Sequence, residues 1–215
     1  FSDLGLLIVD EEQRFGVKHK EKIKRFCDNV DILSVSATPI PRTMYMALTG
    51  SKSVSIMKTP PPGRLSINTI VMAFQEEAIK DAIMRECARN GQVYYVFNDI
   101  EHIPKKAAFL RQLVPNARIA VLHGRMRPAD IERTLMDFYS HQFDILLCTT
   151  IVENGLDIPN VNTIIMDKAE SLGLSQIHQI RGRVGRSNIQ GFAYIVFSEG
   201  AILSKKAESR FRAIQ

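Results

Sequence analysis

Three short apolar runs, VYYVF, ARIAVL and FDILLC, follow one another between residues 93 and 148. The stretches between them carry apolar residues at helical spacing: Phe109, Leu110 and Leu113 after Pro104, then Ile131, Leu135 and Phe138 after Pro128. Short apolar runs alternating with helices of about 10–15 residues imply βαβ units and a mainly parallel sheet. The alternation extends both ways: LLIV, DILSVSA, NTIIM and FAYIVF read as strands, HKEKIKRFC and EEAIKDAIMRECARN as helices. The second of these helices puts Ile79, Ala82, Ile83 and Cys87 at helical spacing and stops at Asn90-Gly91. PPPGR at residues 60–64 is the strongest break, because three prolines cannot continue a helix or a central strand. Parallel sheets gather ligand sites at the carboxyl ends of their strands, so chemistry is expected directly after each run.

With 215 residues, 45% of them apolar and 24% charged, the chain can bury a core and has an ordinary globular composition. Its apolar runs are far shorter than the roughly 18 residues of a membrane-crossing helix, and no charged-then-apolar leader opens it. Cys27, Cys87 and Cys148 are widely spaced and form no CxxC pair. Neither a zinc site nor a disulfide framework is expected, and a reducing cytoplasm is the natural setting. A net charge of +5 permits a nucleic-acid partner without establishing one. The chain opens on Phe1, a few residues ahead of a strand, as expected of a segment of something longer.

Asp10, Glu11 and Glu12 follow LLIV directly. Two carboxylates at a strand end can divide the work of phosphoryl transfer, one holding Mg²⁺ through its waters and the other acting on the attacking water. They could equally be a solvated acidic turn, or a nuclease metal site, although residues 12–30 offer mostly lysine and arginine. Ser36-Ala37-Thr38 ends the next strand, and the prolines after it fix an extended exit. Alone it is an ordinary strand-to-loop turn. LHGRM at 122–126 is another strand-end loop, in which His123 and Arg125 could meet phosphate or His123 could be structural.

TTIVENGLDIP at 149–159 closes a strand with two hydroxyls, Thr149 and Thr150, then presents Glu153, Gly155 and Asp157. Hydroxyls there can bond a phosphate backbone, and a carboxylate can accept from a ribose hydroxyl or simply cap the turn. QIHQIRGRVGRS at 176–187 is the most specific element, with Arg181, Arg183 and Arg186 interleaved with Gly182 and Gly185. Glycine lets the backbone approach an anion closely. Guanidinium forks suit the spread charge of a transferring phosphoryl group, where an arginine finger contributes about 10³–10⁵ in rate. A generic basic loop for nucleic acid is the alternative.

In this order the five segments resemble motifs II, III, IVa, V and VI of the superfamily 2 helicases and translocases, from Leu4 to about Phe197. The resemblance implies an α/β fold of RecA-like, P-loop NTPase-type parallel sheets that uses ATP and Mg²⁺ on DNA. It implies that Asp10 holds Mg²⁺ through water, that Glu11 acts on the attacking water and that Gln13 senses the γ-phosphate. Glu12, Ser36, Thr38 and Gln179 would couple the ATP site to DNA contacts. Gly155 and Asp157 would lie at the ATP cleft, and Arg183 and Arg186 would reach the γ-phosphate, Arg186 as the finger. His123, Gly124, Arg125, Thr149 and Thr150 would run along the DNA backbone. Such contacts read phosphate and not base, which suits a motor that travels over any sequence.

Longer stretches, LLIVDEEQRFGVKHKEKIK, SATPIPRTMYMALTG and LSQIHQIRGRVGRS, are similar to a bacterial, cytoplasmic branch of that superfamily. Its members move along double-stranded DNA, push on stalled RNA polymerase and recruit an excision-repair protein. A sister branch of branched-DNA helicases shares RFGV, SATPIPRT and GRVGR, but reads DEQH where this chain has Asp10-Glu11-Glu12-Gln13.

One departure matters. No glycine is followed by lysine, so the GxxxxGK[ST] phosphate cradle is not in this sequence. In the family it lies upstream of motif II. Residues 1–60 are therefore expected to be the later part of a truncated first RecA-like lobe. A proline-rich linker at 61–65 and a nearly complete second lobe at 66–198 would follow. Residues 199–215 would start a helical translocation module whose Ile202, Phe211 and Ile214 have lost their packing partners. The segment alone is expected to turn over no ATP. A non-catalytic DNA-binding module on the same fold is the rival reading, and such a module would have little use for both Arg183 and Arg186.

Overall fold

The computed structural model describes residues 4–10, 16, 30–35, 53, 55, 57, 59, 65–154, 158–185, 188–200 and 203–214, in two units, Phe1–Thr59 and Pro60–Gln215. In the first unit, Leu6–Asp10 (β1) and Asp31–Val35 (β2) pair in parallel, Leu6 with Asp31 through Asp10 with Val35. The second unit runs Asn68–Ala73 (β3), Glu76–Ala88 (α1), Gln92–Phe97 (β4), Ile103–Leu113 (α2), Ile119–Leu122 (β5) and Pro128–Tyr139 (α3). It continues through Ile145–Cys148 (β6), Val161–Asp167 (β7), Leu174–Arg181 (α4), Phe192–Phe197 (β8) and Lys205–Ile214 (α5). Its six strands form one parallel sheet in the order β3-β8-β7-β4-β6-β5.

A parallel sheet covered by helices has no wet face, so its inner strands are largely apolar. β4, β6 and β7 are buried at every position. Successive side chains of β4 serve two cores. Val93, Tyr95 and Phe97 pack with Ile79 and Ile83 of α1 and Ile103 and Leu110 of α2. Tyr94 and Val96 pack on the other face with Phe138 of α3, Ile177 and Ile180 of α4, and Phe211 and Ile214 of α5.

The helix ends follow local chemistry. Glu76 and Glu77 open α1 at its positive dipole end, and Asn90 terminates it in the left-handed region at φ 58°. Pro104 and Pro128 sit in the first turns of α2 and α3, where a missing N–H costs no helical bond. α2 thus begins one residue before Pro104, not after it. The Ser204 hydroxyl caps α5 by accepting from the Ala207 N–H at 3.2 Å.

Three findings differ from the sequence reading or extend it. β3 was not read as a strand: it is an edge strand that opens on polar Asn68 and Thr69 and is nowhere fully buried. Glu86 shares the buried face of α1 and is 1% exposed. Its Oε2 accepts from Arg89 at 2.5 Å and from the Thr163 hydroxyl of β7. Third, Phe211 and Ile214 have not lost their partners: both are buried, and Phe211 stacks on Phe197 with centroids 6.0 Å apart. The amphipathic face of α5 finds its core within the second unit. Ile202, the HKEKIKRFC helix and PPPGR lie outside the described residues. Among the described residues no helix is long and apolar enough to cross a membrane.

At the amino edge of the sheet, Arg118 grips Asp144 with Nε at 3.0 Å and Nη2 at 2.7 Å, and its backbone N–H adds a third bond at 2.8 Å. Burial raises the Asp144 carboxyl's pKa, but the Arg118 hydrogen bonds and charge outweigh it and hold the carboxyl below its ordinary value. A carboxyl that titrates lower in the folded state stabilises the fold above about pH 3.9, and that contribution is lost as pH falls through the folded value. Replacing Asp144 with Asn should therefore flatten the acid limb of a stability–pH curve measured by urea unfolding. Adding a methyl at Gly91 would overlap Glu86 Oε1, whose carboxylate is anchored on both Arg89 and Thr163. Gly91→Ala should cost about 2–4 kcal/mol in the same assay.

Candidate functional site

The carboxyl ends of the strands carry most of the expected residues. In the first unit, exposed Asp10 ends β1 directly opposite Val35, the last residue of β2. The two strands therefore end at one level. Glu11, Glu12, Gln13, Ser36 and Thr38 themselves lie outside the described residues.

In the second unit the register aligns Leu122 of β5, Cys148 of β6, Val96 of β4 and Met166 of β7 in one row across the sheet. The next residues along are His123, Thr149, Phe97 and Asp167, and beyond them Gly124, Thr150, Asn98 and Lys168. His123, Gly124, Thr149 and Thr150, far apart in sequence, thus share one rim, with Arg125 exposed in the turn that follows. Thr149 is buried and its N–H donates to the Leu122 carbonyl at 3.2 Å, which ties the β6 exit to the β5 exit. Thr150 opens a 3-10 turn, Thr150–Asn154. His123 donates its N–H to Met126 Sδ at 3.5 Å, while its buried Nδ1 has no hydrogen-bond partner among the described residues. Gly155, Asp157 and Arg186 lie outside the described residues.

The same rim holds a charge network that the sequence reading missed. Asp167, 4% exposed, accepts from the Tyr95 hydroxyl at 2.8 Å and pairs with Lys106 Nζ at 2.7 Å. The Lys106 ammonium lies 4.8–6.0 Å from the ring centroids of Phe74, Tyr95, Phe97 and Phe109. Such an aromatic cage stabilises a partly desolvated cation. Burial and the neighbouring Asp167 charge push the Tyr95 phenol well above its ordinary value, so it stays a donor. Outside the cage, Asp99 accepts from the His102 backbone at 3.3 Å and ring Nδ1 at 2.8 Å. Those bonds, the side-chain one foremost, hold the Asp99 carboxyl below its usual value. Lys168 stands 3.6 Å from Asp99 and 5.1 Å from the Phe97 centroid. An acid at the end of NTIIMD was the available sequence signal, but a lysine's backbone angles cannot be read from its identity.

The arginine–glycine segment follows α4. Gln179 is half-buried on that helix, and Arg183, also half-buried, follows it. Arg181 is turned inward: its Nη1 donates to the Ile214 carbonyl of α5 at 3.0 Å and its Nη2 lies 3.3 Å from His178 Nδ1. It serves as a tie between α4 and α5. Gly185 has φ 70°, and a Cβ there would come within 2.8 Å of Ile67 Cγ1. Gly191 packs on it so closely that a Cβ on Gly191 would lie 2.9 Å from the Gly185 Cα. Glycine is required at 185 by backbone angle and packing, a reason independent of any anion.

Residues 75–188 match the helicase conserved C-terminal domain family, and the chain belongs to that family. Over its whole length it is similar to the transcription-repair-coupling factor of Escherichia coli, with 51% identity across 214 residues. It spans 19% of that relative's length. The structure of RecG bound to a three-way DNA junction superposes with a TM-score of 0.76 at 32% identity, covering 99% of this chain and 28% of that one. Yeast Dbp5 (S. cerevisiae), in a structure bound to RNA and ADP BeF3, shares the fold at a TM-score of 0.69 and 18% identity, over 99% of this chain and 57% of that one. These neighbours are RecA-like helicases, and the parallel six-stranded sheet agrees with them.

The α4–α5 tie is sensitive to pH. Burial, aided by the Arg181 charge, lowers the His178 pKa, so the ring is neutral and can accept from Arg181 at neutral pH. An imidazole that titrates lower when folded contributes stability above about pH 6.5, and the contribution is lost as pH falls from there to the folded value. Amide hydrogen exchange in α5 should quicken between pH 7 and 5 beyond its intrinsic pH dependence, and His178→Gln should remove that excess.

Proposed function

We propose that the chain is part of the motor of an ATP-dependent translocase on double-stranded DNA that couples transcription to nucleotide excision repair. The observation that carries the reading is the rim: residues from separate strand ends, His123, Gly124, Thr149 and Thr150, follow directly on one register row of a family fold whose RecG relative was captured on DNA. Hydroxyls, a glycine and an imidazole at strand ends suit phosphate rather than base. Residues 66–198 would be the second RecA-like lobe of that motor, 1–60 the later part of the first, and 199–215 the start of a helical translocation module.

For ATP hydrolysis, Asp10 would hold Mg²⁺ through water, and its exposure at the carboxyl end of a parallel strand suits that task. Mg²⁺ supplies charge neutralisation at the transferring phosphate. Glu11 would act on the attacking water, Gln13 would sense the γ-phosphate, and Gly155 and Asp157 would contact the nucleotide. Arg183 and Arg186 would stabilise the transferring charge. Glu12, Ser36, Thr38 and Gln179 would relay the nucleotide state to the DNA track.

RNA polymerase and an excision-repair protein would be the partners, engaged by regions outside these residues. The branched-DNA helicase reading stands second, since RecG shares the fold at 32% identity. The 51% identity to a coupling factor and the sequence Asp10-Glu11-Glu12-Gln13 favour the first.

In a full-length protein carrying this segment, Arg186→Ala should cut DNA-stimulated ATP turnover by about 10³-fold while duplex binding is retained. Unchanged turnover would move the non-catalytic module into first place. The 215-residue segment, which lacks the GxxxxGK[ST] cradle, should show no ATP turnover after rigorous purification.

A further inference from the structure

Lys168 is one of three non-glycine residues with positive φ in the described chain, at φ 54° and ψ 42°. Asn90 terminates α1 and His141 lies in the turn after α3, whereas Lys168 directly follows the carboxyl end of β7. A left-handed lysine is strained, and such strain persists where the surroundings over-determine it. Here the preceding residue, Asp167, is fixed by Tyr95 and the caged Lys106. The following turn is closed by the Ser171 N–H and hydroxyl, both donating to the Lys168 carbonyl, at 3.0 and 2.8 Å. Lys168 is therefore held in place by its backbone on both sides while its side chain remains 48% exposed.

Its charge is only loosely engaged. At 3.6 Å from Asp99 Oδ2 the ammonium is beyond hydrogen-bond distance, and that oxygen already accepts from His102 at 2.8 Å. Asp167 cannot serve it as a counter-ion in addition, being buried and paired with Lys106. Lys168 is thus an exposed cation in a weak, exchangeable pair. Its position is the second, decisive fact. The β7, β4, β6 and β5 strands end in one row, Met166, Val96, Cys148 and Leu122, and Lys168, Thr150 and Gly124 each stand two residues beyond it, so the exits form one line. At ordinary strand spacing that line is about 14 Å long, comparable to roughly four nucleotides of one DNA strand.

We propose that Lys168 is a further DNA-backbone contact, extending the phosphate track from the β5 and β6 exits across to β7, with Asp99 holding the ammonium until a phosphate displaces the carboxylate. The proposal rests on the DNA-translocase reading above and adds a residue and its counter-ion to it. A phosphate oxygen takes the place of Asp99 Oδ2 beside the ammonium, while Asp99 keeps its two bonds from His102. No covalent step is involved, and the contact carries no base information.

The test is duplex-DNA affinity of the full-length protein between 50 and 200 mM salt, at a fixed nucleotide state. Each phosphate contact contributes about 0.9 to the slope of log affinity against log salt. Lys168→Gln should weaken binding several-fold at 50 mM and make the slope shallower by about 0.9. Lys168→Gly, which relieves the left-handed backbone as it removes the charge, should give the same slope. Lys168→Arg should keep the wild-type slope, and Asp99→Asn should tighten binding by freeing the ammonium. A Lys168→Gln protein whose slope equals wild type, whether or not its affinity falls, overturns the proposal, as does an Asp99→Asn protein that binds no more tightly. If the wild-type protein itself shows no salt-dependent duplex binding, the translocase reading fails first and this contact with it.

Discussion

The structure of the second unit depends on one constraint: a parallel sheet buried on both faces has nowhere to put polar chemistry except beyond its strand ends. β4, β6 and β7 expose no side to water, so each is built around an apolar run. Their hydrogen-bonded register then decides which exits are neighbours. Because Leu122, Cys148, Val96 and Met166 share a row, residues at 123, 149, 97 and 167 follow one another across the sheet without any loop having to bring them together. Placement of this kind is rigid, since slipping one strand by a single residue would invert every buried side chain on it.

Besides Gln92 of β4, which donates to the Phe138 and Phe143 carbonyls at 2.7 Å, the polar groups that enter the sheet with charged partners sit towards the two ends of β7. At the amino end, the Thr163 hydroxyl donates to buried Glu86, which Arg89 neutralises. At the carboxyl end, Asp167 is met by Tyr95 and Lys106. Buried ion pairs contribute little net stability, because desolvation offsets most of the attraction, whereas removing one partner is costly. Their effect here is positional. A strand fastened at both ends by groups that would be costly to leave unpaired cannot shift along its axis, and the rim built on its last residues keeps its geometry.

The sheet of the second unit was legible in its sequence wherever burial was complete, because full burial leaves an unbroken apolar signature. β3 was missed for the complementary reason: an edge strand is half-covered, and Asn68 and Thr69 dilute its pattern. The strand-end location of His123, Thr149 and Asp10 followed from where each apolar run stops. What could not be read was any partnership made through space. Nothing in RGRVGR shows that Arg181 turns towards the Ile214 carbonyl, or that Gly185 is demanded by Ile67 and Gly191 more than 100 positions away and six positions on, respectively. Nor does a lysine in MDKAES announce a left-handed backbone.

These inward assignments sharpen the chemistry left to the segment. Of the three arginines in the sequence 181–186, Arg181 is committed to holding α5, and its half-buried setting with His178 disfavours presenting its charge to a nucleotide. Arg183 follows the helix end, ahead of the left-handed Gly185 and its contact with Gly191. α4 thus carries a structural arginine on its last turn, with the proposed phosphate-facing arginines immediately beyond. α5, seated through Phe211, Ile214 and the Arg210 bond to the Glu170 carbonyl at 2.8 Å, shares a boundary with both that turn and the exit of β7. A displacement of α5 would therefore strain the Arg181 tie and the Glu170 turn together, so the arginine–glycine segment and the strand-end rim meet at one helix rather than through separate linkages.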